Sequence, residues 1–155
     1  MLARATDSES SGSSPRAEVA LGERTGYLLH RVMMLLEARF EQGLRAIDLK
    51  ARDYFVLAAL TGDVPLSQQD LSRLLGLDPT TVVAAIDDLE RRKYVERRRN
   101  PADRRRYNLV LTTAGRKALK QGDRVATEAE EAVLGVLDAK EKRALNEMLS
   151  RVMSG

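Results

Sequence analysis

A mostly α-helical fold interrupted by one small β-ribbon is predicted by three features of the sequence. Apolar residues recur at helical spacing on both sides of a central stretch. Two short segments opened by Ser67 and Asp78 carry helix start and stop signals almost back to back. The residues after them alternate apolar with charged side chains around an arginine-rich turn. Hydrophobic residues make up 43% of the 155-residue chain and aromatic ones only 4%, with no tryptophan. Such a composition suits aliphatic helix packing around one core of ordinary size.

Composition also narrows the function. The chain has no cysteine, which excludes disulfides, thiolate metal sites and thiol redox sensing, and its one histidine makes a poor metal ligand set. No apolar run reaches the roughly 20 residues of a spanning helix, and the N-terminus lacks a signal-peptide pattern, so a cytoplasmic protein without membrane contact is expected. Between Arg91 and Arg106 there are nine basic residues and two acidic ones, whereas the rest of the chain holds 17 basic and 21 acidic. A mildly acidic body with one strongly basic protrusion is the electrostatic footprint of a nucleic-acid binder. A catalytic constellation cannot be assembled: there is no glycine-rich phosphate loop and no evident pair of carboxylates in a cleft, and no cofactor is implied.

Residues 1–16, rich in Ser and Gly, lack the apolar content to offset ordering entropy and are expected to be a disordered arm. Residues 17–50 are read as a dimerisation segment, helical from about Ala17 to Ile47. Tyr27, Leu28, Leu29, Val32, Met33, Met34, Leu35, Leu36, Phe40, Leu44 and Ile47 make this helix apolar over most of its circumference. A helix of that kind needs cover on more than one side, and in so small a chain a second subunit is the economical source. His30 within it is read as a buried or interfacial residue.

A DNA-binding lobe is assigned to residues 51–112. Its first helix runs from about Ala51 to Leu60, with Tyr54, Phe55, Leu57, Ala58 and Leu60 at helical spacing, and ends at Thr61-Gly62-Asp63 before Pro65. Ser67 offers an N-cap with Asp70 as its reciprocal partner, and Gly76 closes that short helix. Asp78 caps the next, with Pro79 in its first position. Two short helices joined by a tight glycine-containing turn form a helix-turn-helix. On the second, Val82, Ala85, Ile86 and Leu89 share one face, while Thr80, Thr81, Val83 and Ala84 supply small groups able to approach base edges and thymine methyls. Asp87 and Asp88 would be repelled by phosphate and are expected to face inward contacts or basic neighbours, which limits the part of the helix that enters a groove to its N-terminal half.

A hairpin then pairs Tyr94–Arg99 with Arg106–Leu111 around the turn Asn100-Pro101-Ala102-Asp103. Arg98, Arg99, Arg104 and Arg105 near its tip suit a narrow minor groove, and Asp103 fits such a cluster if it orients Arg105 through a charge-assisted hydrogen bond. Residues 113–155 return to helix, one element from about Thr113 to Val136 and another, capped by Asp138 and Glu141, to about Val152. Their apolar stripes, including Leu145, Met148, Leu149 and Val152, are expected to meet the first helix and complete a dimerisation unit.

This order of elements resembles the MarR family of bacterial transcription regulators from about residue 20 to the end. Leu77-Asp78-Pro79-Thr80-Thr81-Val82-Val83 resembles the opening of the family's recognition helix and Asp88-Leu89-Glu90-Arg91-Arg92 its close. Asp103-Arg104-Arg105, then Leu109-Val110-Leu111-Thr112-Thr113-Ala114-Gly115, resembles its wing and exit. The resemblance implies a winged helix-turn-helix homodimer on a pseudo-palindromic double-stranded DNA operator, with recognition helices in successive major grooves and wings in the flanking minor grooves. It also implies that Arg105, held by Asp103, enters the minor groove and that Ser67 and Gln68 lie near phosphate. Finally, it implies repression relieved by a small phenolic or carboxylate effector, with His30, Met33 and Tyr54 as candidate pocket residues. Two departures stand out: Ala84 where the family often has a polar or basic residue, and Lys93 where a glycine is common. The competing reading is a basic module for RNA or another acidic partner, against which stands the scarcity of aromatics beside the arginines, Tyr94 and Tyr107 alone.

Overall fold

The computed structural model describes residues 21–62, 66–99 and 107–155. Its elements are α1 (Thr25–Ala46), α2 (Ala51–Ala59), α3 (Gln68–Leu75), α4 (Pro79–Arg91), β1 (Val95–Arg99), β2 (Tyr107–Leu111), α5 (Thr113–Leu134) and α6 (Ala139–Ser154). The fold is mostly α with one small antiparallel β-wing. The expected N-terminal arm, the wing turn and Asp103, Arg104, Arg105 and Arg106 lie outside the described residues. No described helix is long and apolar enough to cross a membrane.

The chain divides into two compact units, residues 1–35 and 36–155. In the first, Leu21 and Gly22 are helical, a break follows at Glu23 and Arg24, and α1 runs on from Thr25; the expected start near Ala17 lies outside the described residues. Gly22 and Gly26 flank this break, and each lowers helix propensity by about 1 kcal/mol relative to alanine. Leu28, Leu29, Met33, Met34 and Leu35 are all exposed among the described residues.

The second unit holds the core. Val56, Leu57, Leu71, Val82, Ala85, Ile86 and Leu89 are fully buried, joined by Leu44, Leu49, Val95, Leu109 and Leu111. Five helices and the ribbon thus contribute to one apolar centre, α5 through Ala118, Leu119 and Val125, and α4 contributes the face expected of it. In α2 the expected face is corrected. Asp53, Val56 and Leu57 point inward, while Phe55 is 46% exposed. Residues 53, 56 and 57 fall at i, i+3 and i+4, the spacing of one helix face, and Phe55 sits off that stripe. Glycines let α5 lie close to its neighbours: a side chain at Gly122 would meet the Tyr54 ring at 2.5 Å, and one at Gly43 would run into Val125.

Local capping explains the short helices. Ser67 accepts the Asp70 N–H while the Asp70 carboxylate accepts the Ser67 N–H at 3.0 Å, and Gly76 closes α3 at φ 63°. Lys93, where the family commonly has glycine, sits at φ 58° beyond α4. A non-glycine residue there costs about 1 kcal/mol or less. The two strands pair in register from Val95 with Leu111 to Arg99 with Tyr107. α6 opens on the expected capping box of Asp138 and Glu141. It buries no residue, however, and Met148, Leu149 and Val152 are 55%, 37% and 80% exposed. Among the described residues this stripe therefore stays uncovered.

Asp53 is the one buried charged group among the described residues. Oδ1 accepts from Arg52 Nε at 3.3 Å and Oδ2 has no partner. Desolvation raises its pKa, with Asp88 adding to the rise and Arg52 and Lys50 opposing it. A carboxyl whose folded pKa is raised stabilises fully below the unfolded value and loses that contribution as pH rises through the folded value. Asp53→Asn is therefore expected to gain on the parent by about 1 kcal/mol as pH climbs from about 4 to neutrality. Denaturant melts at two pH values check this, and a gain toward acid would contradict it.

Candidate nucleic-acid interface

The outward surface of α4 is small and uncharged near its start. Thr80 and Ala84 are exposed on the side opposite the buried face, and Val83 is exposed on its flank. Asp78 accepts the Thr81 N–H at 2.9 Å and the Thr81 hydroxyl as well, and these bonds hold its carboxyl below the usual range. Thr81 is half-buried and its hydroxyl is engaged in this cap, so what it can offer a base edge is its methyl group. Ser67 and Gln68 are half-buried at the start of α3. The Ser67 hydroxyl donates to Asp70 at 2.6 Å, and the hydroxyl and backbone bonds from Ser67 lower the Asp70 pKa.

The ribbon presents its arginines on different faces because strand side chains alternate. Val95, Arg97 and Arg99 share the side of Leu109 and Leu111, which turns toward the core, while Glu96 and Arg98 share the other. Arg98 and Arg99 are both exposed, and Arg98 Nε donates to Glu96 at 2.7 Å. Asp103, Arg104 and Arg105 lie outside the described residues.

Each acid within α4 has a basic partner. Arg97 reaches from β1 to α4, donating to Asp87 at 2.7 Å and also to Glu90. Asp88 pairs with Arg91 and lies 3.7 Å from Lys50; the Arg91 hydrogen bond chiefly lowers its pKa. Arg92 donates to the Asp48 carbonyl at 2.5 Å and carboxylate at 3.2 Å, and lies over the Tyr94 ring at 4.7 Å. The expectation that Asp87 and Asp88 face basic neighbours agrees with these contacts. Sequence reasoning missed Arg97 and Arg92 as ties. For Arg97 the signal is its two-residue spacing from the buried Val95, which aims it toward the helix.

The candidate pocket residues fall in separate units. His30 and Met33 are exposed and one turn apart on α1 in the first. Tyr54, in the second, packs edge-on to Phe40 at 5.1 Å and Phe55 at 5.4 Å and donates to Asp123 at 3.1 Å. No group of three or more His, Cys, Asp or Glu among the described residues could hold a metal ion.

Two adjacent short helices, an outward helix surface uncharged near its start and an arginine-bearing ribbon are thus built on one core. Residues 47–106 match the model of the MarR family. The helix-turn-helix transcriptional regulator YcgE of Bacillus subtilis is 33% identical over 113 residues, covering 69% of this chain and 70% of the relative. The chain belongs to the MarR family. It is a helix-turn-helix transcription regulator of that family, and its fold is shared with solved members. BpsR of Bordetella bronchiseptica, whose DNA binding is regulated by 6-hydroxynicotinic acid, superposes with a TM-score of 0.75 at 28% identity, covering 86% of this chain and 96% of that one. The MarR-family protein Rv2887 of Mycobacterium tuberculosis, a transcriptional repressor solved in complex with DNA, superposes at 0.71 with 26% identity, covering 83% of this chain and 97% of that one. Rv2887 has also been solved with salicylic acid.

Proposed function

We propose that this MarR-family chain acts in the cytoplasm as a homodimeric repressor that binds a pseudo-palindromic double-stranded DNA operator and is released by a small aromatic carboxylate. The observation that carries the reading is the combination on one core of a small outward surface, uncharged near its start, on α4 with an arginine-rich ribbon beside it. Residues 51–112 read DNA in this proposal, with Thr80, Thr81, Val83 and Ala84 in the major groove, Arg98, Arg99, Arg104 and Arg105 at the minor groove, Asp103 orienting Arg105, and Ser67 and Gln68 at phosphate. The segments 17–50 and 113–155 pair the copies. The exposed apolar side chains of α1 and of α6 support that pairing, because uncovered large apolar side chains on a helix mark an association face. The aromatic set of Phe40, Tyr54 and Phe55 supports an aromatic effector, as do the 6-hydroxynicotinic acid of BpsR and the salicylic acid of Rv2887.

The test is selection of duplexes from a randomised library by the full-length protein. An inverted repeat with half-sites about one helical turn, roughly 10 bp, apart is expected. Enrichment of structured RNA over duplex DNA in a parallel selection would overturn the assignment. Addition of salicylate or 6-hydroxynicotinate is expected to weaken binding to the selected duplex.

A further inference from the structure

A recognition helix that carries Asp87, Asp88 and Glu90 should be a poor partner for a polyanion. Asp88 is 17% exposed and paired within the lobe, but the Asp87 side chain is 59% exposed and that of Glu90 28%. Both are bound by one guanidinium, that of Arg97, which is itself only 30% exposed although it belongs to the basic ribbon. The fork geometry of arginine lets one group hold two carboxylates through separate nitrogens, Nη2 to Asp87 and Nη1 to Glu90. Arg97 pairs across the ribbon with the buried Leu109 and follows the buried Val95 by two residues, so its backbone is anchored. The bridge therefore joins two rigid elements, the middle of β1 and the last turns of α4.

We propose that Arg97 is a positioning residue for DNA recognition rather than a DNA contact. It sets the angle between wing and recognition helix by clamping Asp87 and Glu90, and it neutralises the two acids that face outward. The inference rests on the DNA-binding reading and adds a division of labour among the arginines: Arg97 faces the helix, while its neighbours Arg98 and Arg99 remain exposed.

The proposal makes an expectation opposite in sign to simple electrostatics. The double variant Asp87→Asn with Glu90→Gln removes two negative charges from the DNA-facing lobe, and a featureless charge argument says it binds any duplex more tightly. With Arg97 as clamp, the same variant releases the wing. Its affinity for the duplex selected by the parent falls about tenfold, while its affinity for a scrambled duplex holds or rises. Arg97→Ala is expected to lose specific affinity by a similar factor, and combining it with the double variant adds little further loss, because all three changes break one bridge. Thermal melts and sedimentation of each variant confirm that the compared proteins are folded and equally assembled. Tighter binding of the selected duplex by the double variant, or additive losses in the combination, overturns the clamp. A parent that selects no duplex at all overturns the DNA-binding reading, and the clamp with it.

Discussion

Gly115→Ala is expected to destabilise the protein by about 3–5 kcal/mol, enough to unfold most domains of this size. Gly115 is buried in the first turn of α5, where a side-chain carbon would collide with the Tyr94 carbonyl oxygen, lie 2.9 Å from its carbon and press on Leu111 at 3.3 Å. The oxygen cannot move aside cheaply, because it accepts the Thr112 N–H at 3.0 Å. Thr112 in turn caps α5 through Gly115 N–H at 3.0 Å, and its hydroxyl donates to the Lys93 carbonyl at 2.7 Å. The end of α4, both strands of the wing and the start of α5 thus meet at one backbone contact. The resemblance in Thr112-Thr113-Ala114-Gly115 acquires a physical reason, since only a glycine lets the helix seat against the strand. Chemical denaturation checks this through a lowered midpoint at unchanged slope. A variant as stable as the parent would contradict the packing described.

Removing the ribbon charges is expected to act on binding and spare the fold. In the variant with Arg98, Arg99, Arg104 and Arg105 all changed to alanine, up to four counterion-releasing contacts disappear from each subunit. Arg98 already shares its charge with Glu96, so about three effective contacts per subunit, about six per homodimer, are counted. The slope of log K against log salt should flatten by about 5, with at least a thousandfold loss of affinity near about 0.1 M salt. Arg98 and Arg99 are exposed and make no part of the core, so melting temperature and assembly should stay close to the parent's. Equal slopes for variant and parent would remove the ribbon from the interface.

The parts of this fold that are legible in sequence are those fixed by neighbours in sequence. Ser67 with Asp70, Asp78 before Pro79, and Asp138 with Glu141 declare their helix starts within four residues, and each forms the cap its chemistry suggests. The buried face of α4 follows from 3.6-residue periodicity in the same way. Less legible are features set by how elements meet. Asp53 looks like a solvated first-turn acid, yet it occupies the inward stripe beside Val56 and Leu57, and the more apolar Phe55 turns out. The double grip of Arg97 requires the strand to lie along α4, which no spacing rule specifies. The break at Glu23 and Arg24 within the expected helix escapes a reading by apolar density, which does not weigh the two glycines that flank it. The last stripe of α6 had the right periodicity, but periodicity names a buried face without naming what covers it.

The arrangement proposed for the interface, α4 in the major groove with the ribbon beside it in the minor groove, is open to one direct measurement. Full-length protein on its selected duplex should protect guanine N7 from methylation within both half-sites, a major-groove signal. It should also block hydroxyl-radical cleavage across the minor grooves that flank them. The flanking protection should vanish in the four-arginine variant while any residual major-groove protection keeps its position. Major-groove protection without minor-groove flanks in the parent protein, or flanks that persist without the arginines, would contradict the account.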